Sequence, residues 1–224
     1  MQRFRSNQLC ALMLILAVCV VAGCGPAEPP EAAMFREMEA RDVIVKDGKL
    51  TELNFGSQSF SDADCAKLAA LSDLQVLDLG KCQITDAGLD QVAKLITLDS
   101  LSLEGVTAIT DAGIAKLSPL KTLTNLNLGG TGVTDESLES IAKLPALQKL
   151  SLAPAPAITD AGLSQLDGLK QLNEIWLVGT GVTAEGAKSL KAAHPGILVH
   201  GVDEEEETES EIDSAAEKAP SPSS

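Results

Sequence analysis

The stretch Ile84-Thr85-Asp86-Ala87-Gly88-Leu89 recurs as Ile109-Thr110-Asp111-Ala112-Gly113-Ile114 and again as Ile158-Thr159-Asp160-Ala161-Gly162-Leu163. Each copy lies in a unit of 24 or 25 residues led by an aliphatic residue: Leu50, Leu74, Leu98, Leu123, Leu147 and Leu172, with a partial start at Ile197. A fixed period of this length is the mark of a solenoid, in which each unit buries its apolar face only against its neighbours. The period therefore decides the architecture before any single residue is considered.

The first half of each unit reads Leu-x-x-Leu-x-Leu, as in Leu74, Leu77, Leu79 and in Leu123, Leu126, Leu128. Alternation at the last two leucines predicts a short strand with leucines inward and their neighbours outward. The second half, as in Ile84, Leu89, Val92 and Leu95, has the spacing of a short helix. Thr85 stands where a hydroxyl caps that helix, and Asp86 where a carboxylate favours the positive end of its dipole. Thr110 with Asp111, Thr134 with Asp135, and Thr159 with Asp160 repeat the pair, Ser61 with Asp62 varies it, and Thr183 is followed by Ala184. Gly88, Gly113 and Gly162 are expected to let neighbouring elements approach closely.

From Leu50 to Val202 the chain resembles the cysteine-containing subclass of leucine-rich repeats. The resemblance implies an α/β right-handed solenoid of about six repeats, with a parallel concave sheet and short convex helices. It also implies that the residue three places after the last strand leucine points inward to bond neighbouring backbone; Cys82, Thr131 and Thr180 stand there. The expected division is residues 1–23 as a signal peptide, 24–34 a tether, 35–49 an N-terminal cap, 50–202 the solenoid, and 203–224 an acidic tail. Within the cap, Ala33 to Ala40 has helical spacing, Val43-Ile44-Val45 reads as a strand and Asp47-Gly48 as a tight turn.

Arg3 and Arg5 precede an apolar run from Leu9 to Val21 that ends in small residues. That pattern reads as a secretory signal, and the run is shorter than the roughly 20 apolar residues of a spanning helix. Val21-Ala22-Gly23-Cys24 resembles the lipobox of bacterial lipoproteins. The resemblance implies cleavage before Cys24, acylation of its thiol, and a preference for the outer membrane because Gly25 rather than Asp follows. Acyl chains on one residue would hold the protein on a bilayer. A cytosolic ubiquitin-adaptor role, known among relatives of this repeat subclass, fits badly with such an address.

The chain carries a formal charge of −15, of which the segment from Asp203 to Ser224 contributes nine acids and one lysine. An acidic body with an acidic tail repels phosphate backbones, which argues against nucleic-acid partners. Only one Trp and four Phe are present, so the core is aliphatic. Cys65 aligns with the core residue Leu89 and is expected to be a buried thiol, while an exported compartment leaves a Cys65–Cys82 disulfide open. No zinc-ligand spacing occurs.

Gly129-Gly130-Thr131-Gly132 sits between a predicted strand and helix, where a phosphate loop belongs. It lacks the lysine such a loop needs, and it returns at Gly179-Thr180-Gly181, so it reads as architecture. Only His194 and His200 are available as bases, and the repeated Asp86, Asp111, Asp135 and Asp160 are helix-start residues. No catalytic, cofactor or metal site is expected.

Binding is another matter. The outward strand positions form two columns, Glu52, Val76, Ser100, Asn125, Lys149, Glu174 and Asn54, Asp78, Ser102, Asn127, Ser151, Trp176. Trp176, Glu174, Lys149, Asn127, Asn125 and Asp78 are the candidate ligand contacts. Trp176, the sole tryptophan, is either a binding anchor of the kind enriched at interfaces or a cover for the thinly capped C-terminal end. The expected protein is a lipid-anchored recognition module for a protein or glycan; the alternatives are an envelope component that self-associates through that end, and, with least support, an enzyme.

Overall fold

A computed structural model describes residues 28–56 and 60–202. The expected signal peptide, Cys24 and the tail 203–224 lie outside these residues. Strands β1 (Asp42–Lys46) and β2 (Lys49–Asn54) form an antiparallel hairpin, and β3 (Val76–Asp78), β4 (Ser100–Ser102), β5 (Asn125–Asn127), β6 (Lys149–Ser151), β7 (Glu174–Trp176) and β8 (Leu198–His200) follow in parallel, in chain order. Helices α1 (Pro30–Glu37), α2 (Asp62–Leu68), α3 (Asp86–Val92), α4 (Asp111–Ala115), α5 (Asp135–Ile141), α6 (Asp160–Leu163) and α7 (Ala184–Ala193) make the other side, with a 3₁₀ turn at Ser164–Gly168. The fold is a leucine-rich-repeat solenoid.

The core is the stack of repeat leucines. Leu53, Leu77, Leu101, Leu126, Leu150 and Ile175 occupy one register line across the sheet, and each is nearly or fully buried. Each aliphatic side chain so buried contributes about 1.5–3 kcal/mol. One line of equivalent residues thus holds β2 to β7 together.

The cap departs from the expected boundaries. Its helix starts at Pro30 and ends at Glu37, so the stretch read as tether already carries a turn of helix and the buried Ala32. Proline without an N–H is suited to the first turn, where that donor has no helical partner. Phe35 packs edge-on against Phe55 at 5.9 Å between ring centres, and Phe55 lies 4.1 Å from Phe60. Three phenylalanines thereby close the end of the leucine stack.

On the helical side the aspartates do more than favour a dipole. Asp86 accepts from the Thr110 backbone N–H at 2.9 Å and from the Thr110 hydroxyl at 2.6 Å, one repeat ahead. Asp62 holds Thr85, Asp111 holds Thr134, Asp135 holds Thr159 and Asp160 holds Thr183 in the same way. The threonines therefore serve as the donors of a ladder between repeats. Capping of their own helices is secondary: Thr85, Thr134 and Thr183 accept a helix N–H, whereas Thr110 and Thr159 do not. Ala184 stands where the next aspartate would be, at the last helix of the stack.

This ladder explains the glycines. A Cβ on Gly113 would lie 2.1 Å from the Asp86 Oδ1, and one on Gly186 would lie 2.0 Å from the Asp160 Oδ1. Ser137 takes the equivalent place in α5, fully buried, with its hydroxyl turned back to donate to the Thr134 carbonyl at 2.8 Å. One small side chain is tolerated there when its polar atom finds a partner.

Two stability predictions follow from this packing. Asp86→Ala orphans the Thr110 N–H and hydroxyl and should cost about 1–3 kcal/mol, whereas Asp90→Ala, which breaks only the exposed pair with Lys116, should cost at most about 1 kcal/mol. Urea midpoints compare the two, and equal losses would remove the ladder's special role. Leu126→Ala should cost about 2–5 kcal/mol, while Ile96→Ala, at an exposed position, should stay within about 0.5 kcal/mol of wild type by the same measurement.

Candidate functional site on the concave face

Strand register sets the outward columns residue by residue. Glu52, Val76, Ser100, Asn125, Lys149 and Glu174 align as neighbours, and so do Asn54, Asp78, Ser102, Asn127, Ser151 and Trp176. Both columns continue one strand beyond the sequence reading, to Leu198 beside Glu174 and to His200 beside Trp176. All six candidate residues therefore share one face of the sheet.

They do not form one cluster. Asp78 sits near the N-terminal end, where its Oδ1 accepts from the Gly80 N–H at 2.8 Å. Asn127 does likewise with Gly129 at 3.1 Å, while its amide donates to Glu104. These two side chains are partly committed to shaping their own loops.

Glu174, Lys149 and Trp176 are joined at the other end, together with His200. Lys149 Nζ lies 2.7 Å from Glu174 Oε2, and His200 Nε2 lies 3.2 Å from Glu174 Oε1. The bond from Lys149 holds the Glu174 carboxyl below the usual glutamate range, with His200 adding to the effect and desolvation opposing it. The His200 ring stacks on Trp176, 5.1 Å between centres and 16° from parallel. Beside them Leu198 and Val178 are exposed, which leaves apolar surface at the open edge of the sheet.

In the sequence His200 stands only as one of two available bases. Adding one 24-residue period to Trp176 places it on the next rung, which is the signal that would have found it. His194 is buried, and its Nε2 lies 3.1 Å from the Leu166 carbonyl, tying the end of α7 to the neighbouring repeat.

The other sequence motifs resolve into packing. A Cβ on Gly129 would lie 2.0 Å from the Ala153 carbonyl oxygen, so this glycine serves the close approach of two turns. In the inward column expected to bond neighbouring backbone, Thr131 and Thr180 donate to Leu128 and Leu177 of their own repeats, at 2.6 and 2.7 Å. Val106 and Ala155 fill the same place in two other repeats, so the column is only partly polar. Cys65 and Cys82 are both buried and unbridged. Burial, with Asp62 and Asp64 nearby, pushes the Cys65 thiol up to about 12. Near the hairpin, Lys49 and Asp73 border a shallow depression but are paired with each other at 2.7 Å.

Among the described residues no group of His, Cys, Asp and Glu is arranged to hold a metal ion, and no helix is long and apolar enough to cross a membrane.

With this geometry in view, the comparisons with known proteins bear on the fold. Residues 70–93 and 120–142 match the family model described as leucine-rich repeat. No curated protein matches the sequence. The structure is similar to that of an internalin, InlF, from Listeria monocytogenes, with a TM-score of 0.54 and 20% identity over 77% of this chain and 49% of that one. It is also similar to a chain in the yeast Rad7–Elc1 complex, with a TM-score of 0.56 and 18% identity over 66% of this chain and 41% of that one. This chain spans about half or less of the length of either. At such identities the likeness is one of fold.

The thiol environment gives a direct test of the interior. In the native protein at pH 8, Cys65 should resist iodoacetamide, because both burial and its raised pKa suppress the thiolate. It should react fully in guanidinium chloride, as read by site-resolved mass mapping. Rapid native labelling of Cys65 would show that its repeat opens readily.

Proposed function

We propose that this protein is an exported, lipid-anchored recognition module of a bacterial envelope, with Cys24 as the anchor and the concave sheet as the surface that meets a partner. The observation that carries the recognition half is the joined group Lys149, Glu174, His200 and Trp176. Here, among the described residues, an aromatic surface, a carboxylate, an ammonium and an imidazole are built together on the outward face. Repeats of this kind present a rigid sheet, and rigid presentation of a few polar and aromatic side chains favours recognition by lowering the ordering cost of binding. The address rests on the lipobox-like Val21-Ala22-Gly23-Cys24 alone. Membrane attachment would concentrate the module at a surface where its partner, a protein or a glycan, is displayed.

A second reading has its own observation. Leu198 and Val178 are exposed next to the outer edge of β8, which pairs with no further strand among the described residues, and such an edge is a template for another strand. Self-association through this end would make the protein an assembly component. Light scattering separates the readings: growth of particle mass with concentration, abolished by Leu198→Lys, favours assembly, and a constant monomer mass favours the recognition module.

Expression in a bacterium tests the address. Wild type should carry the mass of a mature, acylated chain and partition with membranes, and Cys24→Ser should remain unacylated and leave the membrane or stay unprocessed. A full-length, unmodified wild type in the cytosol would overturn the anchor. With the acyl anchor removed by Cys24→Ser, so that only partner binding is read, Trp176→Ala should reduce attachment to envelope fractions by about tenfold or more, a loss typical of an aromatic hot spot, with the melting curve retained. Equal attachment would remove Trp176 from the site.

A further inference from the structure

We infer that the outward face of β6 carries a slot for a single neutral sugar ring, floored by Ser151 and walled by the indole of Trp176. This rests on the reading of the concave sheet as a recognition surface and names the ligand class for its C-terminal end.

The slot follows from ring orientation. Trp176 and His200 are rung neighbours on β7 and β8, and their rings stack 5.1 Å apart at 16°. That separation is close to the distance of about 4.8 Å between adjacent strands. The ring planes therefore stand across the sheet, one face of the indole covered by His200 and the other turned toward β6. The residue on β6 in that column is Ser151, whose side chain is too short to cover the indole, and the next is Asn127 on β5. Between β5 and β7 lie two strand spacings, about 9–10 Å, enough for one flat ring against the indole.

The chemistry around the slot selects the ring. Beside the indole the charged groups are matched to one another, Glu174 lying between Lys149 and His200, while Glu104 on the far side is held by the neutral Asn127 amide. The acidic chain, at −15, disfavours an anion. The lining nearest the indole is the uncharged Ser151 hydroxyl; beyond it the Asn127 amide bonds Glu104 and the Gly129 N–H, and keeps one N–H and one lone pair for a ligand. An apolar side chain from a partner would be wetted on most sides here. A pyranose is complementary: one face of C–H bonds lies on the indole, and its rim of hydroxyls reaches Ser151, Asn127 and Glu174.

Because Trp176 is the sole tryptophan, its emission reports on this slot alone. The full chain, in a detergent without a sugar headgroup, is titrated with cellotriose and with chitotriose, two neutral trisaccharides, and separately with N-acetyltyrosinamide and argininamide. A saturable change in emission with a trisaccharide at millimolar concentration is expected. Ser151→Leu, which fills the slot but keeps the reporter, should weaken it by about tenfold or more. Circular dichroism and melting establish that this variant is folded. Absence of a saturable response to both trisaccharides in wild type, an undiminished response in folded Ser151→Leu, or saturation by the amides only would each overturn the sugar slot. If the sugars fail while Trp176→Ala still loses attachment to envelope fractions, the ligand class falls and the recognition surface stands. If both fail, both fall.

Discussion

The carboxylate of one repeat holding both the backbone N–H and the hydroxyl of a threonine in the next is the constraint on which the structure turns. Five such pairs run from Asp62–Thr85 to Asp160–Thr183, with O–H···O distances of 2.6–2.7 Å. Charge-assisted bonds of this length are stronger than neutral ones and tolerate little displacement. The leucine stack supplies burial, but one leucine resembles the next, so apolar contact alone carries little directional information. The ladder supplies direction. It fixes where each helix starts relative to the one before, and the sheet register on the opposite side follows.

That register determines what the concave face offers. A line of outward residues can act together only if every strand presents the same position at the same height, and here it does, from Glu52 to Leu198 and from Asn54 to His200. The N-terminal part of the face spends Asp78 and Asn127 on its own loops, whereas the C-terminal part gathers a bridged carboxylate and a stacked ring pair. The face is graded from structural to available. Chemical asymmetry thus arises on a scaffold whose repeats are nearly alike.

Much of this was readable in the chain because periodicity carries through to geometry. Counting from leucine to leucine places the repeat strands and six positions of each outward column, and the Thr-Asp pairs mark the helix starts. What escaped was whatever depends on two repeats at once. Asp86 looks like a local dipole partner until Thr110 is seen above it, and Gly113 looks like a packing glycine until the Asp86 carboxylate is found where its Cβ would be. The place of His200 beside Trp176 and Glu174 is hidden because these partners are distant in sequence and adjacent in space. The start of the cap helix was missed for a different reason: Pro29-Pro30 resembles an extended tether, and only burial of Ala32 and Phe35 discloses a helix.

The central claim is that the concave sheet, rather than the helical side, meets the partner. Site-specific photocrosslinking in intact bacteria tests it most directly, with a diazirine side chain placed at Asn125 on β5 or, as the control, at the exposed Glu139 on α5. The account predicts a discrete adduct from position 125 and none from position 139, with both variants folded and produced equally. Adducts from position 139 alone, or equal adducts from both, would contradict it.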